Sequence, residues 1–289
     1  PIMAEVGPDG TVWYLDWYKF IVQHNPTPQG FQPGKGNAYE TKLRDKRFGR
    51  VYRVVYQGNQ GLSPEELKAA DGLVSKGLSK DDEMQLVGAL KHPNMFWRRS
   101  AQWLLASKPK LADSTVKALI ELARDPSVDG IGINASAIHA IWVLSAQGKW
   151  QGAPMLDAIK HPSDAVVRNA IQAAEPNAET LQAILGSRAL DSQDSQLKLA
   201  ALLKLADCPS QAVATGTKGV GEKLSASTNE KDRWLMDAWT SAASTHAAEV
   251  LPRLIRDAQV APTGELLSRI AIVADHAARN KISAQVFSS

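Results

Sequence analysis

Two rhythms of apolar residues divide the chain. Apolar positions from Ile2 to Val6 and from Thr11 to Trp17 flank Gly7-Pro8-Asp9-Gly10, where proline and glycine supply the dihedrals of a tight reversal, so a β-hairpin is expected. Val51 to Tyr56 alternates Val51, Arg53 and Val55 with Tyr52, Val54 and Tyr56, the period of a strand with two distinct faces. Between them, Tyr18 to Gly49 carries repeated Gly and Pro among polar residues. That run is too long for an ordinary connection and is expected to be a functional or capping loop. From Ser63 the period turns helical: Ser63-Pro64-Glu65-Glu66 offers a capping hydroxyl, a proline at the first helical position and a glutamate that closes a capping box.

Short amphipathic segments then recur, punctuated by Lys91-His92-Pro93, Arg124-Asp125-Pro126 and Lys160-His161-Pro162. The prolines lie 33 and 36 residues apart, a period that means stacked helix pairs. Arg99 and Ala101 follow Pro93 at the offsets at which Arg168 and Ala170 follow Pro162, and Lys198 with Ala200 repeats the pair more weakly. The small alanine lets neighbouring helices approach, and the long basic side chain is expected to reach carbonyls or a carboxylate of the adjoining repeat. An insertion, Val128 to Ile133, displaces Ala135 in the second copy. These copies resemble HEAT-type repeats, four or five pairs in which each buries its apolar stripe against its neighbours. The expected fold class is mainly α: a HEAT-like α–α superhelix over residues 59–289, preceded by a short β segment over residues 1–58.

Composition sharpens that boundary. Ten of the eighteen aromatic residues lie in the first 56 positions, against two of the 41 alanines, a swap from strand to helix chemistry near Gly58 to Gly61. The same 56 residues hold eight Lys/Arg and five Asp/Glu, which accounts for the whole formal charge of +3. The helical part is therefore neutral, which disfavours a nucleic-acid-binding solenoid, since backbone binding needs a basic stripe. Cys208 is the single cysteine, which excludes an internal disulfide or a thiolate metal cluster within one chain. No run approaches a transmembrane span. The start at Pro1, without an initiator Met or a signal-peptide pattern, is expected to reflect processing or a longer parent chain.

The most distinctive run is Asp16-Trp17-Tyr18, Gln23-His24-Asn25-Pro26, Gly34 to Tyr39, Leu43-Arg44-Asp45-Lys46 and Gly49-Arg50-Val51-Tyr52-Arg53-Val54. Over roughly residues 5 to 56 it resembles the closing blade of the β-propeller in secreted bacterial membrane-bound dehydrogenases, relatives of the quinone-dependent glucose and sorbosone dehydrogenases. In those proteins HEAT repeats follow the blade, and often a haem-binding cytochrome segment. The resemblance implies an extracytoplasmic location and a parent protein with pyrroloquinoline quinone (PQQ) and haem. It also shows what this chain lacks: a six-bladed propeller needs about 24 strands, and the Cys-x-x-Cys-His haem attachment is absent here. No cofactor is expected in this chain, which is not expected to carry the dehydrogenase reaction alone.

Within the run, Asp16, His24, Asn25, Arg44, Asp45 and Arg50 are the candidates for a ligand site or for a network that pins the loop to the propeller. His24 and Asn25 stand at the mouth of a sugar-substrate site in the first reading. Trp13, Trp17 and Tyr18 read as blade core, and the basic residues from Lys42 to Arg53 as a solvated or docking surface. Pro93, Pro126, Pro162, Arg99 and Arg168 form the structural repeat signature. His92 and His161, each before a proline, are assigned a turn role with helix-end carbonyls as partners. No metal site is expected. Gly216 to Gly221 reads as an inter-repeat linker, since it lacks Walker spacing and follows a helical segment. Trp97, Trp103, Trp142, Trp234 and Trp239 are expected in the core, and Cys208 to be inert. The leading function is a non-catalytic scaffold whose helical repeats dock a partner domain or protein; the alternative is a portion of a quinone-dependent sugar or alcohol oxidoreductase.

Overall fold

The structure, a computed structural model, describes residues 3–16, 29–30, 32, 49–55, 72–209, 219–226, 232–260 and 263–279. The fold is mainly α, with a short three-stranded antiparallel sheet at the N-terminus. Two compact units are present: residues 1–79 with 92–100, and residues 80–91 with 101–289.

In the first unit β1 (Met3–Val6), β2 (Val12–Asp16) and β3 (Arg50–Val54) lie in that order. The register sets Met3 opposite Leu15, Val6 opposite Val12, Tyr14 opposite Tyr52 and Asp16 opposite Arg50. The reversal between β1 and β2 is the expected one. Gly10 N–H donates to the Gly7 carbonyl at 3.0 Å, and Gly10 takes φ +77°, a left-handed conformation that glycine adopts without a Cβ penalty. Asp9 fastens the turn by accepting from the Thr11 amide at 3.1 Å, the Thr11 hydroxyl at 2.7 Å and the Trp13 indole at 3.3 Å.

Residues 92–100 join this unit although the change of composition lies near residue 58. Asn94 Nδ2 donates to the Gly7 carbonyl at 2.8 Å, and Trp97 Nε1 to the Pro8 carbonyl at 2.9 Å. The turn at the start of the second helix thus completes the hydrogen bonding of the β-turn, which is why the compact units do not divide where the residue types do.

The second unit is built from α1 (Glu83–Ala89), the latter half of α2 (Met95–Ala106), α3 (Asp113–Arg124), α4 (Ala135–Ala146), α5 (Ala153–Ala158), α6 (Asp164–Ala173), α7 (Ala178–Leu185), α8 (Ser195–Asp207), α9 (Val220–Ala226), α10 (Arg233–Thr245), α11 (Ala247–Val260) and α12 (Gly264–Arg279). Asx side chains start five of them: Asp82, Asn134, Asn177, Asp194 and Asp232 each accept an amide of the first turn, which satisfies donors that a helix leaves orphaned.

Most helices pack on the helix two further along: α4 on α6, α6 on α8, α8 on α10 and α10 on α12 form one row, and α1 on α3, α3 on α5 and, further on, α9 on α11 lie beside it, while α7 packs on α8. Stacked hairpins produce that alternation. The core runs between the rows, through Leu86, Leu119, Ile141, Ile171, Leu181 and Leu197, all wholly buried. Each contributes about 1.5–3 kcal/mol by leaving water.

Of the run Gly216 to Gly221, expected as a linker, residues 216–218 lie outside the described residues, and Val220 and Gly221 lie in the first turn of α9. A Cβ on Gly221 would stand 2.5 Å from the Glu249 carbonyl oxygen, so this glycine is fixed by the close approach of α9 to α11. The tryptophans divide as well. Trp97 and Trp239 are buried, but Trp103 is 68% and Trp234 67% exposed, contrary to a core role. Ala101 and Leu105 face inward, and Trp103, two positions from each, faces outward. The start of a helix at Ser63 lies outside the described residues.

Candidate functional site

Of the six loop-network candidates, Asp16 and Arg50 are described; His24, Asn25, Arg44 and Asp45 lie outside the described residues. Asp16 and Arg50 are direct partners across β2 and β3. Arg50 Nη1 donates to the Tyr52 hydroxyl at 2.9 Å, and Tyr52 stacks on Tyr14 with ring centroids 4.9 Å apart. One sheet face therefore runs from Val6, Val12 and Val54, through the tyrosine pair, to Asp16 and Arg50. The opposite face carries Met3, Leu15 and Val51 beside Glu5, Trp13 and Arg53. Arg53 pairs with Asp9 at 2.6 Å and lies over the Trp13 ring. Burial raises the Asp9 carboxyl, but the bonds from Thr11 and Trp13 and the Arg53 charge outweigh it and hold Asp9 below its ordinary value.

Among the described residues apolar side chains are exposed on both faces: Met3, Val6, Val12, Leu15, Val51 and Val54 are each at least 41% exposed. An antiparallel sheet ordinarily covers at least one face, so this one presents apolar surface in two directions.

In the helical unit the polar groups knit one repeat to the next. Gln147, just after α4, donates to the carbonyls of Leu105 and Ala106 at the end of α2 and of Lys108 just beyond it. Lys204 on α8 reaches the Gln172 and Ala174 carbonyls at the end of α6. Thr245 and His246 close α10 and donate to Ala206 and Leu205 on α8. Helix C-termini leave such carbonyls unpaired, and here the next hairpin supplies their donors.

The residues expected in this role, Arg99 and Arg168, do not fill it: among the described residues neither guanidinium makes a hydrogen bond or an ion pair. Arg98, next to Arg99, instead donates to the His92 and Pro93 carbonyls of its own turn. The inter-repeat donors sit at the ends of helices, or carry neutral side chains such as Gln147, and therefore do not show in a matched Arg-x-Ala offset.

Pro93, Pro126 and Pro162 are exposed at the turns. Beside them His92 Nδ1 accepts the Asn94 amide at 2.9 Å, and His161 Nδ1 the Ser163 amide at 3.0 Å. Each ring binds the amide two residues on, across a proline that has none to offer. His161 Nε2 reaches the Asp125 carbonyl, a helix-end partner of the expected kind. His139 is buried against Gln102, and His246 is buried with its Nδ1 unpartnered.

Two surface depressions lie on the turn side of α5 and share Lys160. The larger, about 390 Å³, runs between α5 and α7; the smaller, about 300 Å³, lies beside Pro126 and Pro162. Within the smaller, Arg124 pairs with Asp157 at 2.8 Å.

Among the described residues no group of three His, Cys, Asp or Glu is placed to hold a metal. The residues do not fit a covalently attached haem: Cys208 is the sole cysteine, and it is wholly buried, with its thiol pushed up to about 11 by burial. No helix among the described residues is long and apolar enough to cross a membrane.

Residues 1–58 match a family described as a domain of unknown function, DUF7133. No curated protein matches the chain. The family match ends where the aromatic composition gives way to alanine.

Proposed function

We propose that the chain is a non-catalytic scaffold segment of a secreted, sugar-dehydrogenase-like protein: its sheet is a propeller blade seated between neighbouring blades, and its helical repeats dock a partner domain or protein. The observation that carries this reading is the sheet with two open apolar faces. A propeller blade is covered on both sides by its neighbours, and a sheet built for that position keeps Val6 and Val54 on one face and Leu15 and Val51 on the other. The resemblance of residues 5 to 56 to such a blade supports an extracytoplasmic location.

The experiment compares this chain with the parent reading frame extended upstream. Each is mixed with pyrroloquinoline quinone, calcium, a sugar and a redox dye. The expected result is dye reduction by the extended protein and none by this chain. Quinone-dependent reduction by this chain alone would make it an enzyme in its own right. An extended frame that encodes no further propeller strands would remove the blade reading.

A further inference from the structure

We infer that His92 is a pH-sensitive latch: a proton taken up on its Nδ1 releases the Asn94 amide, and with it the hold of Asn94 on the turn between β1 and β2.

Three successive turns make the same bond with different acceptors. The residue before the proline accepts the amide two positions on: His92 Nδ1 from Asn94 at 2.9 Å, Asp125 Oδ1 from Ser127 at 3.0 Å and His161 Nδ1 from Ser163 at 3.0 Å. What the position needs is therefore an unprotonated acceptor, supplied once by a carboxylate and twice by a ring nitrogen. The two kinds answer acid differently. The Ser127 amide and hydroxyl hold Asp125 below its ordinary value of 3.8, so that acceptor persists well into the acid range. A ring nitrogen ceases to accept once it is protonated, and imidazole titrates near pH 6.5.

Of the two rings, His161 is buried, whereas His92 is half-buried and takes up a proton from solvent without unfolding of the chain. The Asn94 side chain is fixed from both ends: Nδ2 donates to the Gly7 carbonyl at 2.8 Å and the Pro8 carbonyl at 3.3 Å, and Oδ1 accepts the Phe96 amide at 2.9 Å. Its backbone is fixed by the His92 ring. Trp97 adds a second bond to Pro8, at 2.9 Å, and meets that ring edge-on with centroids 6.4 Å apart. The ring thus touches both residues that anchor the hairpin turn.

The groups around His92 disfavour a charged ring. Arg98, on the first turn of α2, donates to the His92 and Pro93 carbonyls at 2.7 and 2.6 Å and so brings its positive charge close. Lys91 precedes the ring and is exposed. Asp9, the carboxylate of the hairpin turn, is engaged by Thr11, Trp13 and Arg53. Burial first, and then the Arg98 charge, hold His92 below its ordinary value of 6.5. A base depressed in the folded state contributes its full stability above the unfolded value, about 6.5, and loses it as pH falls from there to the folded one. The latch is therefore closed at neutral pH and opens on the acid side.

The test follows hydrogen exchange of the full chain by NMR at about pH 7.5 and about pH 5, either side of the imidazole range. Rates are expressed as protection factors, which removes the intrinsic pH dependence. In the parent protein, protection of the Gly10 and Asn94 amides is expected to fall about threefold to tenfold at the lower pH, the loss of one net hydrogen bond. His92→Asp supplies the acceptor found at Asp125 and does not titrate in this window, so its protection should be equal at both pH values. His92→Ala lacks the acceptor and should show the lowered protection at both. A fall of the same size in His92→Asp, or none in the parent protein, would overturn the latch. Should a variant not fold, the parent protein decides alone. Its His92 ring and Asn94 amide signals are expected to shift with one shared midpoint below about pH 6.5, and separate midpoints, or a ring midpoint above that value, would likewise overturn it.

Discussion

His161 Nε2 donates to the backbone carbonyl of Asp125 at 2.8 Å, and these two residues hold the same place in successive repeats, each directly before a turn proline, 36 positions apart. The Ser163 amide occupies His161 Nδ1, so the ring carries its proton on Nε2 and is held as a donor toward the neighbouring turn. The next turn continues the connection, since Arg188 donates to the His161 carbonyl. Equivalent positions of neighbouring hairpins are thus tied through their backbone, and the stacking does not depend on apolar contact alone.

Replacing His161 with alanine removes both bonds and leaves the Ser163 amide unpaired in a buried position. The expected loss is about 1–3 kcal/mol, seen as a lower urea midpoint with an unchanged slope. An unaltered midpoint would mean that the bridge contributes nothing to stacking.

Asn94 has three roles in the first unit: its Nδ2 donates to the Gly7 and Pro8 carbonyls, and its Oδ1 accepts the Phe96 amide at 2.9 Å. Asn94→Ala is expected to cost about 1–2 kcal/mol from the lost cap and to speed amide exchange at Gly7 and Gly10 of the hairpin turn. Exchange at those amides identical to that of the parent protein would show that the turn holds without this anchor.

The hairpin and the third strand were legible because period-two alternation and a Gly-Pro-Asp-Gly turn are local signals. The strands fall within a residue or two of their expected bounds. The His-Pro turns were legible for a similar reason, since their bonds close over two residues. What the sequence did not disclose is tertiary. That Asn94 and Trp97 complete the hydrogen bonding of Gly7 and Pro8, nearly ninety positions earlier, leaves no mark in composition. Trp103 follows Ala101 and Trp142 follows Ala140, each by two positions, yet Trp103 is exposed while Trp142 is half-buried with its indole on Asn169. Neighbouring helices set that difference.

Glu83 gives the fold a pH dependence. The Thr115 hydroxyl donates to its carboxylate; burial acts the other way, but the Ala112 amide and Lys108 join Thr115, and together they hold Glu83 below its ordinary value of 4.5. A carboxylate depressed in the folded state stabilises the fold above its unfolded value, and that contribution disappears as pH falls through the folded one. Urea midpoints measured from about pH 6 down to about pH 3 should fall more steeply in the parent protein than in Glu83→Gln. Parallel acid limbs would remove Glu83 as a contributor.

Cys208 follows from its surroundings. Burial lifts the thiol to about 11, and no part of the residue reaches solvent. Ellman's reagent at about pH 8 is expected to find no reactive thiol in the folded protein and one per chain in denaturant, because the thiolate is the reacting form. Rapid labelling of the native chain would show that the segment around Pro209 opens readily.

Gly221 tests whether α9 belongs to the stack as a packed helix or hangs from it as a linker. Its Cα faces the backbone of α11: an added Cβ would stand 2.5 Å from the Glu249 carbonyl oxygen and 3.1 Å from Arg253 Cδ. The arginine can move aside, but the carbonyl belongs to a helix and cannot yield without shifting α11, whose Val250, Leu251 and Leu254 are wholly buried. In an exposed linker, glycine to alanine stabilises slightly through the unfolded chain; against a fixed carbonyl it costs about 1–3 kcal/mol as overpacking. The two cases therefore have opposite signs. Gly221→Ala is expected to lower the melting temperature, and a rise would return this segment to the linker role that its glycines suggest.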